Sequence, residues 1–185
     1  MGISADIPES CCSDEVIPVA GETTATPKAA ANRPAALPMC MIGSWRSVGE
    51  FTTVKFYTDQ EPMRFSGNGR VLEFRADGTG MERHDSFTLT SSFAGRTLRI
   101  VSNGTMEFKW SASDSAVTYI GHTSATITFS YYDHRGLRST QPFEVKPNLN
   151  EVDPYTCNST QFAEAGANGY SSVWVRTSGP GVYGQ

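Results

Sequence analysis

From Met41 onward, apolar residues fall largely on alternate positions, and turn residues interrupt the pattern every few residues. Met106, Phe108 and Trp110 alternate with Thr105, Glu107 and Lys109, the cleanest inside/outside alternation in the chain. About nine short strand-like segments lie between Gly43-Ser44-Trp45 and Trp174-Val175-Arg176. In the first, Val48, Thr52, Val54 and Phe56 share one face, and Trp45, Phe51 and Tyr57 the other. Residues 69–80 read as a strand and a tight turn, because Asp77-Gly78 supplies positive φ angles, and 81–89 answers it. Phe93-Ala94-Gly95 predicts the next turn, 97–101 the next strand, and Asn103-Gly104 a second hairpin. Further strands are expected at 117–120 and 123–132 with Gly121 at their junction, then at 141–145, 155–162 and 172–177. Asp133-His134-Arg135-Gly136 reads as a hairpin loop and 166–169 as the last turn, and only 163–168 suits a short helical turn.

Consecutive hairpins without a βαβ pattern predict an all-β fold, an antiparallel up-and-down β-barrel of about eight strands, with a sandwich as the other solution. The barrel is expected over 39–178, after an N-terminal tail over 1–38 and before a short C-terminal tail over 179–185. Gly43 admits close backbone approach, and Trp45 fills the floor of such a barrel. Arg176 is then free to stack across the indole, with Trp174 beside it. A barrel plugged at that end is expected to open at the other, where a ligand would enter.

The tail sequence ETTATPKAAANRPAALP has no helical or alternating period, and prolines 27, 34 and 38 oppose regular structure. It reads either as a linker or as a lid anchored by Ile3, Ile7, Val16, Ile17 and Val19. Charged residues make up 18% of the chain and the net charge is -4, without clustered Lys or Arg, so no nucleic-acid partner is expected. No apolar stretch approaches the roughly 18 residues of a spanning helix, so no membrane span is expected. The opening MGISADIPES has neither the basic nor the apolar region of a secretory signal, and the expectation is a cytoplasmic protein or the mature form of an exported one.

Cys11 and Cys12 are adjacent, while Cys40 precedes the Gly-x-Trp and Cys157 lies in a late strand. Closure of a barrel brings the last two near bonding range. They are either a disulfide or two buried thiols. No Cys/His spacing points to a metal or another cofactor.

Gly43-Ser44-Trp45, Asp77-Gly78-Thr79-Gly80, Tyr155-Thr156-Cys157 and Trp174-Val175-Arg176 resemble bacterial lipocalin-like proteins of the calycin superfamily, over residues 41–177. The Thr-Asp-Tyr-like run of kernel lipocalins is not present. The resemblance implies an eight-stranded barrel with a cup for a small, mostly apolar molecule.

Met106, Phe108, Trp110, Tyr119, Tyr131 and Tyr132 are the expected lining of that cup, with plain core packing as the alternative. Arg83 and Asp85 share a period with Met81, Phe87 and Leu89. Either they line the mouth as a charge pair, or a bulge shifts the alternation and turns both outward. His122 is expected to cap a strand end, and His134 to be a solvated turn residue. A Ser-His-Asp set can be assembled on paper around His84 or His134, but no Gly-x-Ser-x-Gly elbow is present and no catalytic residue is assigned. Three functions follow: a container for a small hydrophobic ligand, a cofactor-independent cyclase or isomerase that folds a flexible polyketide-like substrate by restraint alone, or a structural or envelope-associated module whose filled barrel has no cavity.

Overall fold

The computed structural model describes residues 37–178. The expectations for 1–36 and 179–185, including the linker and lid readings, fall outside the described residues.

Short alternating segments form eleven antiparallel strands in one sheet. They are β1 (Gly43–Val54), β2 (Met63–Asn68), β3 (Val71–Phe74), β4 (Thr79–Phe93), β5 (Arg96–Ala112) and β6 (Ala116–Ala125). There follow β7 (Thr128–Asp133), β8 (Gly136–Pro142), β9 (Glu151–Cys157), β10 (Gln161–Ala165) and β11 (Ser171–Ser178). Among the described residues the only helical element is a 3-10 turn at Ala167–Gly169, and no helix is long and apolar enough to cross a membrane.

Pairing runs β1–β3–β4–β5–β6–β9–β10–β11 and returns to β1, a ring of eight in a barrel-like sheet. β2 continues the course of β3 beyond Gly69-Arg70, and β7 continues β6 beyond Thr126-Ile127. β8 hangs on β7 as an exposed edge.

Several boundaries differ from the sequence reading, each for a local reason. Asn103-Gly104 is not a hairpin but lies inside β5, which merges two expected strands. Gly104 has φ +121, and a Cβ there would sit 2.6 Å from the Thr126 carbonyl oxygen, so glycine permits a close crossing rather than a turn. The break expected at Gly121 falls at Thr126-Ile127 instead. The single strand expected at 155–162 is a hairpin, because the Asn158 side chain accepts from the Thr160 and Gln161 amides and turns the chain. Residues 143–150 carry no strand. In β1 a bulge near Gly49 separates Trp45 and Ser47 from Glu50, all three buried, and leaves Phe51 outside beneath Arg64.

One end is closed by residues from both ends of the described chain. Trp45 and Arg176 are directly opposed on β1 and β11, with the guanidinium carbon 4.1 Å from the indole centroid. Arg176 also donates to the carbonyls of Ser159 (2.7 Å), Ile42 (2.8 Å) and Cys40. Cys40 and Cys157 form a disulfide with Cα atoms 5.9 Å apart. Trp45 Nε1 donates to the Met41 carbonyl at 2.8 Å, so the 40–42 turn is strapped under the floor. Above it lie Phe74, Phe108, Trp110, Phe162 and Trp174, all buried. A second apolar cluster, Phe65, Leu98 and Ile100 with Phe56 and Tyr131 against it, fills the other end.

Replacing Arg176 with Ala removes the stack and three hydrogen bonds at once. The expected loss is about 2–3 kcal/mol in urea unfolding, with Arg176→Lys recovering less than half.

Candidate functional site

Between the two apolar clusters the interior is polar, and the sequence shows why. Arg70 is in phase with Leu72 and Phe74, Glu164 with Phe162, Ser172 with Trp174, and Asp153 with Tyr155. Alternation sends each of these polar groups to the same side as a core aromatic. Glu50 reaches that side through the β1 bulge.

Arg70 is the hub. Its Nη2 lies 2.6 Å from Glu50 Oε2, its Nη1 2.6 Å from Glu82 Oε1, and Nη2 also donates to the Tyr170 hydroxyl at 2.8 Å. Burial disfavours the guanidinium charge, but Glu50 and Glu82 outweigh it and hold Arg70 well above its ordinary value. Glu82 would rise on burial, yet Arg70 and His84 bring it down to about 2. Its carboxylate bonds His84 Nε2, and His84 Nδ1 lies 2.6 Å from the Ser102 hydroxyl.

A second branch leads from Tyr170. Its hydroxyl donates to Glu164 at 3.0 Å, Ser172 donates to the same carboxylate at 3.1 Å, and Tyr119 donates at 2.7 Å. Trp174 Nε1 in turn donates to the Ser172 hydroxyl at 2.7 Å. Burial still raises Glu164 above the usual carboxylate range, and it pushes the Tyr119 hydroxyl well up.

A cavity of about 220 Å³ opens beside this network. Leu72, Met106, Phe108 and Trp174 give the lining its apolar part, and Arg70, Glu82, Tyr119, Asp153 and Glu164 its polar part, with Glu82 directly between Leu72 and Met106 in register. An adjoining lobe of about 340 Å³ shares Arg70, Glu82 and Met106, and adds Phe87, Leu89, Ile127, Phe129 and Phe143. Phe51, Lys146 and Glu151 are its exposed lining residues. Lys146 and Glu151 mark an opening on the side of the sheet. β6 pairs with β9 only over Ala116–Tyr119, and residues 143–150 cross the unpaired gap beyond. His122 holds that segment: its amide donates to the Lys146 carbonyl, and its Nδ1 accepts the Lys146 amide. Burial lowers its pKa, which keeps the ring neutral and able to accept.

Of the expected lining residues, Met106, Phe108 and Tyr119 face the cavity. Trp110 is buried away from it, against Phe74, with its Nε1 bonded to the Thr79 carbonyl. Tyr131 packs in the second cluster, and Tyr132 lies against Arg99. Arg83 and Asp85 are exposed on the outer face. Ser86, with φ 50, bulges between His84 and Phe87, and its amide bonds Asn103 Oδ1. The alternation shifts there, so Glu82 and His84 point inward in place of their neighbours. His134 is exposed beside Arg96.

Glu82, His84 and Ser102 form an acid–imidazole–hydroxyl chain, but Ser102 lies outside the cavity lining, and Glu82 is bound to Arg70. The chain serves to position the interior, not to present a nucleophile. Among the described residues no group of three or more His, Cys, Asp and Glu side chains is placed to hold a metal ion. No protein-family model matches the chain, and no curated protein matches it.

Asp153 stands apart. It is 4% exposed, and burial together with Glu151 and Glu164 raises its pKa to about 6. A carboxyl raised on folding adds its full share of stability below its ordinary value of 3.8 and loses it as pH rises through about 6. Asp153→Asn is therefore expected to be more stable than the parent at pH 7.5, by about 1–3 kcal/mol. In urea titrations across pH, that gap should close below pH 4 if desolvation is the cause.

Proposed function

We propose that this chain is a lipocalin-like, up-and-down β-barrel that binds a small molecule with an apolar body and a few polar groups. The observation that carries the reading is the mixed lining of the cavity, in which aliphatic and aromatic side chains alternate with hydrogen-bonding ones. Such a lining suits a ligand held by apolar burial and oriented by a small number of polar contacts. The plugged end supports the likeness, since Trp45 and Arg176 stack where the barrel is stoppered. The polar wall changes the expected ligand from a purely hydrophobic one to an amphiphile.

A second reading, a cofactor-independent cyclase or isomerase, draws support from Asp153. A cavity-facing carboxyl with a pKa of about 6 is suited to proton transfer near neutral pH. The container reading is preferred because the remaining polar groups are saturated by one another, which leaves a single group for chemistry.

Met106 lines both lobes. Met106→Trp is expected to fill the space between them and to weaken binding of apolar probes about tenfold or more, read by titration calorimetry. A folded variant that binds as well as the parent would place the ligand elsewhere.

A further inference from the structure

The interior holds four carboxyl groups, Glu50, Glu82, Asp153 and Glu164, against one guanidinium, that of Arg70. Arg70 is already engaged by Glu50, Glu82 and Tyr170. Glu164 already accepts three hydrogen bonds. Asp153 differs from both. It is more than nine-tenths buried and lines the cavity, and among the described residues no group donates to its carboxylate. Its oxygens rest against Gly166, where a Cβ would come within 3.1 Å, so the backbone leaves room for that carboxylate. Among the described residues no sealed side-chain oxygen or nitrogen lacks a partner, so the Asp153 oxygens are open to the cavity, where a ligand's donor can take the place of water.

A neutral donor would satisfy a lone pair but leave the excess negative charge uncompensated. A cation does both. Phe108, Tyr119 and Trp174 line the same lobe, and Trp174 already carries the Arg70 guanidinium 5.1 Å from its ring centroid, so the aromatic lining is of a kind that attracts a positive group and disfavours an anion. We infer that the cavity takes an amine: a small molecule whose protonated nitrogen docks on Asp153 while its apolar body lies along Leu72, Met106 and Phe108. This rests on the container reading and narrows it to one ligand class. It also accounts for a residue that the folded protein would be more stable without, since ligand sites commonly keep such groups.

The test uses three probes of equal chain length, octylamine, octanol and octanoate, titrated into the protein at pH 7.5 and followed by calorimetry. Octylamine is expected to bind at least about tenfold tighter than either of the others. Asp153→Asn should remove that preference, bringing octylamine to within about twofold of octanol on the same variant. Octanol or octanoate binding as well as octylamine would overturn the amine assignment and leave the container standing. An amine preference that survives Asp153→Asn would also overturn it. Failure of all three probes to bind would count against the container itself. Because the probe series is read on the parent protein, the result does not depend on the variant's folding.

Discussion

The interior is organised by one buried guanidinium. Arg70 sits in the break between β2 and β3 and ties Glu50 on β1, Glu82 on β4 and Tyr170 ahead of β11 into one network. The Ser47 hydroxyl on β1 adds to the tie by accepting from the Gly69 and Arg70 amides. Removing one partner from such a set strands the others without compensation, a cost of about 3–5 kcal/mol for a buried pair. A well-packed apolar replacement of the whole set would cost far less. The network is therefore better explained by what it does to the cavity than by what it adds to stability: it fixes a polar wall among apolar neighbours.

Two irregularities let that wall exist. The bulge near Gly49 brings Glu50 inside where strict alternation would have presented its neighbour Phe51. The bulge at Ser86 does the same for Glu82 and His84, at the expense of Arg83 and Asp85. Each inserts one residue, and each inverts the faces on one side of it. Without them the mid-barrel would carry a different set of side chains from the same sequence.

The all-β class, the hairpins at Asp77-Gly78, Ala94-Gly95 and Asp133–Gly136, and the approach of Trp45 to Arg176 were legible because they rest on local turn chemistry and period-2 phase. Strand continuity was not. Asn103-Gly104 carries a strong hairpin signature, yet glycine there answers to a neighbouring backbone in space, which no local pattern encodes. The site was half legible. Met106, Phe108 and Tyr119 follow from aromatic alternation, while the side taken by Arg83 and Asp85 turns on the bulge before Phe87, one of the two alternatives that phase leaves open. Arg70, Glu164 and Asp153 obey the same rule, since each is in phase with a buried aromatic. Their charge hides it, because charged residues belong to solvent by default.

That default fails here for a reason tied to sheet geometry. A sheet has only two faces, so a strand that must bury Phe74 and Trp174 also buries whatever lies two residues before them. Arg70 lies four residues before Phe74, and Ser172 two before Trp174. Polar residues at those positions either find partners across the interior or face a space that something else fills. Arg70, Glu82 and Glu164 take the first course. Asp153, held against Gly166 and without a donor among the described residues, takes the second. The distinction between a carboxylate tied to protein donors and one left open to the cavity separates scaffold from site in this protein.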